Sequence, residues 1–224
     1  MELLAETLAA YPLSSWLLAL FAIFAATCIQ FSLGIAFGLI AGPALALIHV
    51  DFVPAPVLML TCVTATTGAV REWRLVRWDQ VRWSVSGRFL GALVAIYCLA
   101  LIPDEKTFLL VFGLLIGFAV LLSVSGLRFP FTLPTIGAAG MVSGFTATIT
   151  GVGGPPMAVV FQHQKAIDAR PTLQSFFALG SLASFLLLMV SGHVGARAIA
   201  IALLLVPGFV AGYFVAPHVR GWFD

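Results

Sequence analysis

The residues best placed to do chemistry in this sequence form the stretch Gly151-Val152-Gly153-Gly154-Pro155-Pro156. Proline suits the first turn of a helix, where its missing N–H had no partner anyway, so Pro155 or Pro156 starts a helical segment Met157 to Gln162. The glycines before it can take positive φ and let a ligand approach bare backbone. A helix N-terminus offers free N–H donors and about half a positive charge, which in apolar surroundings makes an anion site without Lys or Arg. The plainer alternative is that these glycines only allow close helix packing. Hydroxyls gather around the same place: Ser143, Thr146, Thr148 and Thr150 before the break, and Thr61, Thr64, Thr66 and Thr67 on another segment. They could donate to oxyanion oxygens, although Ser and Thr in apolar helices also bond back to their own i−4 carbonyl.

The elements that must hold these groups are membrane helices. Hydrophobic residues make up 61% of the 224 and charged residues 9%, against about 25% charged in soluble domains. Runs free of Asp, Glu, Lys and Arg extend over 7–50, 52–70, 89–103, 107–127, 129–164, 171–196 and 198–219. A bilayer core needs roughly 20 apolar helical residues, and most runs supply that or nearly so. The composition therefore predicts an all-α, polytopic membrane bundle of about 7–9 segments in the cytoplasmic (inner) membrane. The longest stretch left for water is 71–83, so no soluble domain is expected.

Two runs are too long for one crossing. As single helices, 7–50 would extend about 66 Å and 129–164 about 54 Å, against a core of about 30 Å. Both carry breakers: Gly34, Gly38, Gly42 and Pro43 in the first, and Gly144, Gly151, Gly153, Gly154, Pro155 and Pro156 in the second. Placing one set over the other leaves a two-residue difference, and 53–70 then corresponds to 172–192, and 84–102 to 198–216. The sequence reads as a duplication, 1–127 and 128–224, with 107–127 closing the first half and the second half one element shorter.

Lys and Arg counts choose between topologies. If each long run crosses once, seven such residues lie on one side and four on the other. If each forms a hairpin, nine face two, and Arg71 to Trp83 lies inside with Trp73, Trp78 and Trp83 as an interfacial belt. The hairpin version is favoured. Each repeat then has an odd number of passages, so the halves are inverted, an arrangement common among secondary transporters whose substrate sites lie at interrupted helices.

Other functions find little support. Cys28, Cys62 and Cys98 sit singly in apolar runs and read as small buried hydrophobes. Glu2 and Glu6 have the wrong sign for a signal-peptide n-region, so the first apolar stretch is kept as a span. The basic residues mark orientation and not a nucleic-acid partner. No HExxH or paired intramembrane carboxylate appears, and a Ser143 with His193 dyad is the only enzymatic arrangement left open. No cofactor or metal is expected; the partners expected are a small anion and the lipid bilayer, with a homodimer left open.

Gly144-Phe-Thr-Ala-Thr-Ile-Thr-Gly-Val-Gly-Gly-Pro-Pro156, followed by Arg170-Pro171-Thr172, resembles the second-repeat signature of the sulfite exporter TauE/SafE family, within the toluene sulfonate uptake permease superfamily. The resemblance implies a transporter of small sulfur-containing anions such as sulfite or sulfonates. The first repeat departs from the family pattern, with Gly38 and Gly42-Pro43 where a denser glycine run is usual. The substrate-binding residues expected are Gly151, Gly153, Gly154, Pro155, Thr148 and Thr150 in the second repeat, Gly38, Gly42, Pro43, Thr64 and Thr67 in the first, and Arg170. Arg88, four residues inside the run 84–102, either attracts an anion or snorkels to the headgroups, the latter being favoured. His49 and His163 end the two hairpins and offer a proton-linked role or an interfacial one. Export is favoured over proton-coupled uptake, since no Asp or Glu lies at mid-depth.

Overall fold

The computed structural model describes residues 2–33 and 37–220, and among these it is entirely helical outside turns and loops. A short helix α1 (Glu2–Ala9) leads into α2 (Leu13–Leu33), followed by α3 (Phe37–Ile48), α4 (Ala55–Arg71), α5 (Trp78–Ala100) and α6 (Glu105–Val124). Then come α7 (Leu133–Thr150), α8 (Gly154–Phe161), α9 (Ala166–Val190) and α10 (Ala196–Arg220). Among the described residues, six stretches are long and apolar enough to cross a membrane: Leu13–Phe31, Val50–Arg71, Trp78–Ala100, Glu105–Val124, Ala166–Val190 and Ala196–His218. The expectation of seven to nine segments also counted the apolar length that lies in α3, α7 and α8.

The helices overrun the uncharged runs. α5 begins six residues before the run expected from 84, and α9 begins at Ala166 and carries Asp168, Arg170 and Pro171 inside it. A helix continues through the interface as long as its backbone bonds pair, so charge marks the edge of the apolar core and not the end of the helix. Ends are set instead by local capping. Asp104 accepts from the Thr107 N–H at 2.8 Å to start α6, and Thr132 caps α7.

Gly151 ends α7 in a left-handed conformation (φ 78°), with its N–H on the Ala147 carbonyl at 2.7 Å, and Pro155 and Pro156 open α8. The chain then doubles back. The Phe161 ring meets the Phe131 ring with centroids 5.0 Å apart, and Gln162 Nε2 donates to the Leu127 carbonyl at 2.7 Å, so the end of α8 lies beside the approach to α7. The first half turns in the same way: the His49 ring after α3 lies 5.0 Å from the Tyr11 ring before α2.

The expected break at Gly42-Pro43 is not where the chain breaks. α3 runs through both residues, and Gly34 falls outside the described residues. Pro43 removes one N–H, a loss that apolar helices tolerate when neighbouring groups compensate.

The remaining ends sort into two groups. Glu72 pairs with Arg170, and the Arg77 N–H donates to Thr172 Oγ1 at 3.1 Å, joining the start of α9 to the loop before α5. At the other end, Val50, Asp51, Pro103, Asp104 and His193 line one wide vestibule. The tightest packing is between α5 and α7, where Gly87 and Gly91 seat on the Gly137 and Met141 carbonyls while Gly140 and Gly144 seat on the Ser84 and Arg88 backbone. Any side chain there would overlap backbone, so small residues set this interface. Gly208 and Gly212 on α10 do the same against the Leu20 and Phe24 carbonyls of α2, a Cβ at either falling 2.7 Å from the oxygen.

Candidate functional site

The two hairpins meet at their tips. A Cβ on Gly38 would lie 2.8 Å from the Gly151 carbonyl oxygen, and one on Gly42 would lie 2.5 Å from the Val152 side chain. Only glycine lets the strands of backbone come this close. The α3 N-terminus at Phe37 and Gly38 and the α8 N-terminus at Gly153 and Gly154 therefore open onto one cavity. It encloses about 290 Å³ of atom-free space and is also lined by Gln30, Thr61, Arg88 and Phe177. The space left between the walls is about that of one water molecule.

Arg88 is the feature that sequence reasoning placed wrongly. It lies ten residues into α5 and is 1% exposed, the largest fully buried side chain described. At 1.5 Å per residue it sits about 15 Å from Trp78 and about 18 Å from Ala100, too deep for its stem to carry the guanidinium to either headgroup layer. Snorkelling is excluded by this depth. Gly180 on α9 makes room for it, since a Cβ there would overlap Arg88 Cδ and Nε.

The guanidinium stacks over Phe176 with its carbon 5.1 Å from the ring centroid, and Nη1 donates to Ser143 Oγ at 3.2 Å. Ser143 in turn donates to the Gly153 carbonyl at 2.6 Å. Arg88 Nε has no hydrogen-bond partner, and among the described residues no carboxylate forms an ion pair with it.

Gln30, also not singled out in the sequence, braces the first tip. Its Oε1 accepts the Phe37 N–H at 2.9 Å, and its Nε2 donates to Gln174 Oε1 at 3.1 Å, linking α2, α3 and α9. Of the residues expected at the site, Gly38, Gly151, Gly153 and Gly154 line the cavity. Gly42 packs beside it against Val152, Pro155 is buried in the first turn of α8, and Pro43 is half-buried on α3. Thr64 bonds back to the Leu60 and Thr61 carbonyls and Thr67 to the Val63 carbonyl at 2.8 Å. Thr150 donates to the Thr146 carbonyl and accepts the Val152 N–H at 3.0 Å, stabilising the turn. Thr148 is buried with its hydroxyl unpartnered. Arg170 is not brought to the cavity; it forms a two-pronged pair with Glu72.

The remaining titratable candidates are elsewhere. His49 lies 3.7 Å from Asp51 at the vestibule end. His163 stands in the loop between α8 and α9, exposed. Ser143 and His193 do not pair, because His193 Nδ1 is 2.9 Å from Ser191 Oγ in the α9–α10 loop. Among the described residues, no Asp, Glu or His lines the cavity.

The arrangement thus concentrates positive potential: a buried guanidinium and two helix N-termini, with no negative group on the walls. A family model for the sulfite exporter TauE/SafE matches residues 18–224. Neither the curated proteins nor the solved structures contain a match.

Proposed function

The chain belongs to the sulfite exporter TauE/SafE family of membrane transporters, and on that premise we propose that it carries a small sulfur oxyanion, sulfite or a sulfonate, outward across the cytoplasmic membrane, holding it between Arg88 and the tips of the two hairpins. The observation that carries this reading is the buried Arg88 guanidinium without a carboxylate partner. A lone arginine at a helix centre costs about 3 kcal/mol on insertion scales. A bound anion offsets that cost, and its oxygens match the planar fork of N–H donors. The N-terminal N–H groups of α8 at Gly153 and Gly154 add donors on the facing wall.

The cavity is too tight for a four-atom oxyanion as it stands, so it represents a closed conformer, and the hairpin tips separate to admit substrate. The two halves, 1–127 and 128–224, act as inverted repeats. Support comes from the glycine seating of α5 on α7 and of α10 on α2, and from both hairpins closing on their own starting ends. Lys and Arg favour the end holding residues 71–83 as cytoplasmic: Arg71, Arg74, Arg77, Arg82, Arg128, Lys165, Arg170 and Arg220 belong to it, against Lys106 and Arg197 opposite.

Export needs no coupled ion. A cell interior negative by about 100 mV favours expelling one negative charge by roughly 2.3 kcal/mol. Proton-coupled uptake would use His49 or His163, and neither reaches the cavity. The test is sulfite efflux from proteoliposomes with the potential clamped by valinomycin and potassium. Efflux should rise with inside-negative potential and ignore a pH gradient; flux driven by a pH gradient at zero potential would refute the uniport.

A further inference from the structure

Among the described residues, three buried side-chain polar atoms have no hydrogen-bond partner: Arg88 Nε, Thr148 Oγ1 and Ser184 Oγ. Buried polar groups in folded proteins are nearly always paired, so three orphans call for a reason. They are not scattered. α5, α7 and α9 run parallel, as Gly140 and Gly144 seat on Ser84 and Arg88, while Arg77 bonds Thr172 near one end and Leu99 shares a buried cluster with Leu188 near the other. Arg88, Gly144 and Gly180 form one layer of these helices. Four residues on, Ala92, Thr148 and Ser184 form the next, one turn or about 5.4 Å nearer the vestibule end.

Both hydroxyls also break the habit of their neighbours. Thr27, Thr61, Thr64, Thr150 and Ser181 are all buried and all bond back to the i−4 carbonyl. Thr148 and Ser184 do not, although their own i−4 carbonyls are those of Gly144 and Gly180. Neither lines the Arg88 cavity. Beyond them lie Leu99 and Leu188, buried with Leu58 and Ile149, and these two leucines line the open vestibule of about 920 Å³.

We infer that Thr148 and Ser184 form a second oxyanion-binding step, one turn from Arg88, on the route from the Arg88 cavity to the vestibule, closed in this conformer by Leu99 and Leu188. The inference rests on the reading that Arg88 holds the transported anion. An oxyanion leaving the guanidinium through apolar packing would lose all its hydrogen bonds, and two unpaired O–H donors one turn on keep it solvated. Because the step is off the resting site, it governs the rate of passage and not the first binding.

The experiment measures radiolabelled sulfite efflux from proteoliposomes under an inside-negative potential, with melting of the same variants in detergent. Thr148→Val and Ser184→Ala should each lower maximal efflux about tenfold, the usual effect of a lost hydrogen bond to a charged group, at an unchanged half-saturating sulfite concentration. Thr148→Ser should restore efflux, and Tm should not fall, since no protein hydrogen bond is removed. Wild-type efflux in the double variant overturns the second step and leaves Arg88 untouched. Loss of efflux together with a lower Tm and no rescue by serine assigns the residues to packing and overturns it too. An unaltered protein that neither binds nor carries sulfite overturns the Arg88 reading and this inference with it.

Discussion

Arg88 Nη1 donates to Ser143 Oγ at 3.2 Å, and the same hydroxyl donates to the Gly153 carbonyl at 2.6 Å. One serine thus ties the buried charge on α5 to the turn that opens α8. Ser143 can orient the guanidinium only while Gly153 stays within reach, so movement of the hairpin tip and orientation of Arg88 are mechanically joined. Ser143→Ala should leave the charge in place but free its direction. We expect the half-saturating sulfite concentration to rise by at least about tenfold, the worth of one hydrogen bond to a charged group, measured by concentration-dependent efflux. An unchanged concentration dependence would show that the serine only fills space.

Gly180 tests the same geometry from the other side. A methyl at this position overlaps Arg88 Cδ and Nε, so the guanidinium must leave its seat over Phe176. Gly180→Ala should abolish sulfite binding, followed by calorimetry on purified protein, while helix content by circular dichroism stays unchanged. A Cβ on Gly153 would lie 2.7 Å from Ser143 Oγ and 2.9 Å from Ala147 Cβ, so Gly153→Leu should likewise stop flux while the protein still inserts. Normal transport in the Gly153 variant would return that turn to a packing role.

Much of this was legible in the sequence, for reasons tied to particular residues. The breakers between Gly151 and Pro156 announced a turn because glycine and proline act through backbone geometry alone. The helical class followed from the uncharged runs. Arg88 was misjudged because the span was taken to start at 84, whereas Trp78 to Trp83 carries no Gly or Pro and simply extends the helix. A usable signal was present: Ser84, Gly87, Arg88, Gly91 and Ala95 share one face of small residues, and an arginine on such a face packs inward. The placing of the first break at Gly42-Pro43 failed because a proline inside an apolar helix need not end it. Arg170 could not be resolved at all, since its partner Glu72 is 98 positions away and only the fold brings them together.

The topology has a direct check. Single cysteines at Gln164 and His193, in a variant lacking Cys28, Cys62 and Cys98, should label with a membrane-impermeant maleimide from opposite faces, Gln164 from the cytoplasm and His193 from outside. Labelling of Gln164 from outside and His193 from the cytoplasm would leave each long run as a single crossing and remove the inverted arrangement.

At the vestibule end, Tyr11 donates to Asp51 at 2.5 Å and closes the first hairpin. Burial, and then the bond to Asp51, push the Tyr11 phenol from 10.0 up to about 12. The neutral form is therefore favoured in the folded state, and the stability this gives is present in full below pH 10 and lost as pH rises from about 10 to about 12. Melting in detergent should fall across that interval in the wild type, and less steeply in Tyr11→Phe. Equal slopes would mean that the phenol is solvated.

The most direct measurement replaces the charge itself. Arg88→Gln keeps a donor and removes the cation from a site that holds no carboxylate to balance it. Sulfite efflux under an inside-negative potential should vanish in this variant, while Tm does not fall, because the substitution removes an unpaired buried charge that costs the fold about 3 kcal/mol. Arg88→Gln protein that carries sulfite at the wild-type rate would contradict an anion held by Arg88.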